Sequence, residues 1–256
     1  MRLWLKYQIL KTLKMRNFTF IFLSIFSFTA CSPNSSEMIP SSSGTVVSVN
    51  PTTPNNNLPQ RKFLALGDSY TIGQNVEEKD RWSVALVDLL KNDFYFTKHD
   101  IIARTGWTTE ELTNAINSQN ITEQFDMVSL LIGVNNQYRG QSLDKYRTEF
   151  RALLNTSIKF ARNDPKRVFV LSIPDWGKSP FGKGSDAKKI SEEIDAFNNV
   201  ARIECQKLGI IYIDITEISR MNIDADYFAN DRLHYSGKMH LLWAKEALIT
   251  AKNILK

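Results

Sequence analysis

Hydrophobic positions fall into three regimes along the chain. Residues 18–28 (FTFIFLSIFSF) are almost continuously apolar, residues 32–60 are dominated by Ser, Pro, Asn and Thr, and from residue 62 short apolar runs alternate with longer amphipathic stretches. The short runs predict buried strands at 62–66 (KFLAL), 101–103, 127–132 (MVSLLI), 167–173 (RVFVLSI) and 210–214 (IIYID). Helical spacing marks 81–91, 108–117, 142–162, 185–208 and 238–255. Thr108 or Thr109 is placed to cap the second of these, with acids in its first turn. A loop rich in Pro, Gly and Trp (PDWGKSPFGKG) follows the fourth strand, and no internal repeat is visible.

Five strands alternating with helices predict an α/β domain, a three-layer α/β/α sandwich on a five-stranded parallel sheet covered by right-handed crossovers. Ligands of such sheets gather at the carboxyl ends of the strands, where the strand order reverses. Gly67-Asp68-Ser69, Thr105-Gly106 and Gly133-Val134-Asn135 each directly follow a predicted strand. Three loops with useful chemistry therefore converge on one sheet edge.

The first regime has a basic n-region, an apolar h-region and the small residues Thr29-Ala30 before Cys31, the plan of a secretory signal peptide and too short for a membrane span. A cysteine after a small residue also resembles the lipobox of bacterial lipoproteins, with Phe28 where Leu is usual, and Met15 is an alternative start to Met1. That reading divides the chain into a signal at 1–30, a flexible tether at 31–60 and one domain at 61–256. The tether lacks the apolar content to offset ordering entropy. By the same resemblance Cys31 is diacylated and holds an exported protein on a membrane, periplasmic or at the cell surface; two acyl chains suffice for stable anchoring.

Charge then changes meaning. The 256 residues carry a formal +5, but Arg2, Lys6, Lys11, Lys14 and Arg16 all lie in the leader. Without those five of the 32 bases, bases and acids balance at 27 each, so nothing electrostatic favours a nucleic-acid partner. Cys205, the other cysteine, is expected to be a buried lone thiol, and neither a disulfide framework nor zinc-ligand spacing is present.

Four blocks carry the chemistry: GDSY at 67–70, Gly106, GVNN at 133–136 and DRLH at 231–234. A serine hydroxyl needs a base to become a nucleophile, and a histidine base needs an acceptor on its second ring nitrogen. Asp231 precedes His234 by three residues, so one turn can bring both side chains to the same side. The GxSxG elbow of α/β-hydrolases is absent.

The ordered blocks resemble the SGNH or GDSL hydrolase family over about residues 62–250. That family includes lipases, lysophospholipases, thioesterases, arylesterases and carbohydrate deacetylases, and the resemblance implies its flavodoxin-like fold. It implies Ser69 as nucleophile, His234 as general base, Asp231 as orienting acid, and an oxyanion hole from the Ser69 and Gly106 N–H groups and the Asn135 amide. No metal or organic cofactor is implied. Asn136 stands where the family more often has Asp, keeping hydrogen-bonding capacity without the charge. Tyr70, Trp107, Tyr138 and Trp176 are candidates to line an acyl or aromatic pocket. Arg139 is a solvated loop residue or a partner for an anionic head group, Asp175 a solvent-facing acid, and His99 and His240 structural or surface residues. The expected activity is ester hydrolysis through an acyl-enzyme, with a slight lean to lipid-type or short acyl esters; the alternatives are a non-catalytic surface-binding lipoprotein and a carbohydrate O-deacetylase.

Overall fold

In a computed structural model the described residues are 46–48, 57–221 and 224–256. The stretch read as a signal peptide, the lipidation candidate Cys31 and most of the stretch read as a tether lie outside them.

The strands β1 (Val46–Ser48), β2 (Gln60–Gly67), β3 (Tyr95–Ala103), β4 (Met127–Leu131), β5 (Val168–Leu171) and β6 (Ile211–Ile213) form one sheet in the order β1-β3-β2-β4-β5-β6. From β3 to β6 neighbours are parallel, with Leu64 of β2 opposite Asp100 of β3 and Val128 of β4. The chain leaves β2 for β3 on one side and returns to β4 on the other, so the order reverses at β2. That reversal opens a crevice at its carboxyl end.

Right-handed crossovers fix the helix layers. The connection from β2 to β3, carrying α1 (Ser69–Ile72) and α2 (Trp82–Leu90), runs opposite to all later ones, so α2 covers one face and packs there against α8 (Gly237–Leu255). The other face carries α3 (Thr109–Ser118), α5 (Leu143–Phe160) and α6 (Ala187–Leu208), with α5 packed on both α3 and α6. Two five-residue helices, α4 (Val134–Tyr138) and α7 (Thr216–Arg220), follow β4 and β6. With both faces covered, β4 and β5 are buried at every position, which is why they read as unbroken apolar runs.

The predicted five-stranded sheet gains a sixth, antiparallel strand. Val47 of β1 pairs with Ile101 of β3, and the strand lies inside the stretch read as tether. Two β-branched valines suit a strand, but three residues amid Ser, Thr and Pro carry no alternation to reveal one; pairing closes the otherwise open edge of β3. β3 itself begins six residues before its predicted start, because Thr97, Lys98 and Asp100 break the apolar run. Lys98 forms an ion pair with Asp100 at 3.1 Å, and His99 stacks on Phe63 with centroids 4.8 Å apart.

Helix ends follow their caps. Thr108 accepts from the Glu111 N–H while Glu111 accepts from the Thr108 N–H, a capping box, and Ser142 and Asp186 cap α5 and α6. Cys205 is fully buried on α6, and burial raises its thiol to about 12. No described helix is long and apolar enough to cross a membrane.

Candidate active site

The loop that carries Ser69 is shaped by close approach. A Cβ on Gly67 would come within 2.4 Å of the Leu131 carbonyl at the end of β4 and 2.2 Å of Thr71 Oγ1, so the chain turns out of β2 with no room for a side chain. Asp68 caps α1, its Oδ1 accepting from the Tyr70 N–H at 3.0 Å, and Ser69 opens the helix. Burial lifts the Asp68 carboxyl to about 7 despite backbone donors at Tyr70 and Gly133. This acid stands behind Ser69 and belongs to the scaffold of the turn.

Gly106 has φ +86, a conformation that strains any residue with a Cβ. Its carbonyl accepts from Arg139 Nη2 at 2.6 Å, and Arg139 Nη1 donates to Glu111 at 3.1 Å, so the guanidinium fastens the loop to the capped end of α3. Arg139 remains exposed, as expected of a solvated loop residue, but its guanidinium is engaged by Gly106 and Glu111. Among the described residues the Gly106 N–H has no acceptor.

Asn135, on α4, donates through Nδ2 to the Trp107 carbonyl at 2.9 Å, which orients the amide and leaves its second N–H unengaged. Its neighbour Asn136 is completely buried: Oδ1 accepts from the Thr109 N–H at 3.1 Å, and Nδ2 donates to Thr109 Oγ1 at 2.7 Å and Gln141 Oε1 at 2.9 Å. This side chain ties the β4 loop to α3 without needing a charge. Its three bonds account for the tolerance of Asn at a position where an acid is more usual.

Asp231 and His234 sit on the loop between α7 and α8. His234 Nδ1–H donates to Asp231 Oδ2 at 2.6 Å. Asp231 Oδ1 accepts from the backbone N–H groups of Leu233 (3.0 Å) and His234 (2.9 Å), a tight turn made possible by Arg232 at φ +62. A fourth donor, Asn75 Nδ2, reaches Asp231 Oδ2 at 2.6 Å. Partial burial tends to raise the Asp231 carboxyl, but the His234 ring and the two backbone donors outweigh it and hold it below the ordinary range. Beneath His234 lies the edge-on ring of Tyr70, centroids 5.9 Å apart, and Tyr235 anchors the loop with its hydroxyl on the Asp175 carbonyl at 2.8 Å.

Ser69, Gly106, Asn135 and His234 line one cavity of about 200 Å³, with Asp231 behind the histidine. Among the described residues no standard-length hydrogen bond joins Ser69 Oγ to His234; in resting hydrolases this contact is often long and tightens with substrate. Of the predicted pocket aromatics, Tyr70, Tyr138 and Trp176 line the cavity, the last two in an edge-on pair at 5.4 Å. Trp107 does not: it contributes its carbonyl to Asn135 and its side to a neighbouring groove of about 590 Å³. That groove shares Thr105 and Gly106 with the cavity and continues past Arg104, Asn114 and Ser118.

Val134, Leu233 and Thr105 belong to blocks and loops read from the sequence, though not as pocket residues, and they line the cavity; sequence reasoning missed Asn75, beside Asp231. Asp175, read as solvent-facing, is fully buried, accepting from Gly177 N, Ser191 Oγ and Arg220 Nε. His99 and His240 are buried, and burial, with Arg81 nearby, lowers each to about 3, so both are neutral packing groups. Among the described residues no cluster of three or more His, Cys, Asp or Glu side chains is placed to hold a metal ion.

Residues 65–242 match the GDSL-like lipase/acylhydrolase family. Among solved structures, the lipase/acylhydrolase from Enterococcus faecalis is 21% identical with a TM-score of 0.56, covering 77% of this chain and 97% of its own. A member of the lipolytic G-D-S-L family from Veillonella parvula DSM 2008 is 17% identical with a TM-score of 0.56, covering 73% and 96%. An acetylxylan esterase from Geobacillus stearothermophilus is 17% identical with a TM-score of 0.58, covering 76% and 95%. Likeness at such identities is one of fold. No curated protein matches the chain.

Proposed function

The chain belongs to the GDSL-like lipase/acylhydrolase family, and from that premise we propose that it is a serine esterase working through an acyl-enzyme. The observation that carries this reading is the Asp231–His234 pair at 2.6 Å, opening onto the cavity that Ser69, Gly106 and Asn135 also line.

Ser69 Oγ attacks the ester carbonyl carbon as His234 Nε2 takes its proton, and Asp231 stabilises the imidazolium through Nδ1. The carbonyl oxygen becomes an oxyanion held by the N–H groups of Ser69 and Gly106 and by the second Asn135 amide N–H. Collapse breaks the bond to the alcohol oxygen, which receives the proton from His234. Water, deprotonated by His234, then attacks the acyl-serine, and the second tetrahedral species releases the acid and returns the proton to Ser69. Every proton is accounted for by the one histidine.

Cavity size supports a short acyl group. About 200 Å³ lies below the roughly 300–1,000 Å³ of sites for drug-sized ligands, and Trp176 and Tyr138 bound it with apolar surface. A long lipid chain and a lysophospholipase-like preference draw no support from this space. The polar groove past Gly106 favours a second reading within the same chemistry, an O-deacetylase acting on a hydroxyl-rich alcohol.

Turnover of p-nitrophenyl acetate tests the proposal. Ser69→Ala and His234→Ala are each expected to lower kcat by at least about 10⁴-fold in a folded protein. Wild-type rates in either variant would rule this assignment of Ser69 and His234 out.

A further inference from the structure

The Asp231 carboxylate is held by more than its histidine. Both of its shortest bonds converge on Oδ2, from His234 Nδ1 and from Asn75 Nδ2, each at 2.6 Å. Asn75 arrives from the other end of the chain, 156 residues away, on the loop that leaves α1. It adopts φ +60, a left-handed conformation that Asn tolerates better than most residues with a Cβ.

The contact continues beyond Asn75. Gln74 Nε2 donates to Asn75 Oδ1 at 3.4 Å, and Gln74 Oε1 accepts from Thr105 Oγ1. Thr105 immediately precedes Gly106 and lines the cavity. A row of side-chain hydrogen bonds therefore crosses the rim from the loop bearing an oxyanion donor to the acid behind the base.

We propose that Asn75 is a positioning residue for the acid–base pair: its amide holds the Asp231 carboxylate facing His234 and, through Gln74 and Thr105, keys it to the Gly106 loop. This rests on the reading of Asp231 and His234 as the acid and base of an esterase. Without Asn75, Asp231 keeps its two backbone donors on Oδ1, but Oδ2 answers to His234 alone and the carboxyl plane loses one of its restraints. Proton transfer then proceeds from a broader set of ring orientations, a loss felt in kcat and not in substrate binding.

Few charges compete at the ring. Tyr70, packed edge-on against His234, is kept protonated by burial; His240 behind it is neutral, lowered to about 3 by burial with help from His234 and Arg81. Asp68, beyond Tyr70, is pushed up to about 7 by burial, and its hydrogen bond comes from the Tyr70 N–H and not from Asn75. A change in the acid limb of the rate profile on altering residue 75 is therefore read as a difference from the wild-type profile.

Two variants of the full chain test the proposal, both compatible with a left-handed backbone: Asn75→Gly removes the donor, and Asn75→Asp sets a carboxyl against Asp231. With p-nitrophenyl acetate, Asn75→Gly is expected to lower kcat about five- to tenfold at unchanged KM, the loss of one exposed hydrogen bond to a charged group. Asn75→Asp is expected to move the acid limb of kcat/KM up by roughly one pH unit, since a second negative charge favours the imidazolium. Wild-type kcat with an unmoved limb in both variants overturns the proposal. So does a loss of kcat matched by a loss of thermal stability with the limb unmoved, which would make the contact merely structural. If Ser69→Ala remains active, the assignment of Ser69 and His234 itself has failed; if only the Asn75 variants behave as wild type, this inference alone has.

Discussion

Ser69, Gly106 and Asn135 stand at the ends of three adjacent strands, whereas Asp231 and His234 are carried by an irregular loop between α7 and α8. The strand-end groups are set by close backbone packing and by bonds to the loops that carry them: the Gly67 turn pressed on β4, the Gly106 carbonyl bonded by the exposed Arg139, and the buried Asn136 side chain bonded three times. The loop pair is set by side-chain and turn hydrogen bonds, four on Asp231 alone, two of them from side chains that remain partly exposed. On the proposed reading, the groups that would meet a developing charge are built onto strand ends, and the groups that would handle the proton onto a surface loop. Preorganised donors act best where reorganisation is smallest, and a loop-borne acid–base pair depends on side-chain bonds to be held as well.

That contrast is open to attack at its strongest point first. Asn135→Ala removes a donor from the rigid half and is expected to cut kcat on p-nitrophenyl acetate by about 10²- to 10³-fold, with KM little changed. A loss smaller than that of Asn75→Gly would reverse the ranking of the two halves.

A gentler probe reaches the scaffold under Ser69. The Asp68 carboxyl titrates at about 7 when folded against an ordinary 3.8, so the folded chain keeps a proton that the unfolded chain releases. Stability from this group is fully present below about pH 4, falls as pH rises toward 7 and levels off above it. Asp68→Asn abolishes that dependence, so the melting temperature of the variant relative to wild type should climb between pH 4 and pH 7, by about 2–4 °C for each kcal/mol of difference. A difference independent of pH would show that Asp68 is ionised in the folded protein throughout.

The sheet was legible wherever burial on both faces made strands uniformly apolar, as in β2, β4 and β5. It was not legible in β1, where three residues cannot display a period, nor in the first half of β3, where Lys98 and His99 find partners only after folding. The helices α1, α4 and α7 have only four or five residues, too few for a 3.6-residue repeat to appear. In the site, Asp231 and His234 were readable because their spacing is local. Asn75 was not, because its contact spans 156 residues and depends on a left-handed turn that composition does not announce. Trp107 shows the complementary gap: position beside a block was visible, but the direction of the ring was not. Asp175 was misread for a similar reason, since Arg220 and Ser191 reach it from elements far along the chain.

Covalent labelling tests the central claim most directly. Reaction with a fluorophosphonate probe at neutral pH, followed by peptide mass spectrometry, should place a single adduct on Ser69 in the wild-type chain and lose it in His234→Ala, because only a base-activated serine reacts quickly. An unlabelled Ser69, or labelling that persists undiminished without His234, would contradict the account.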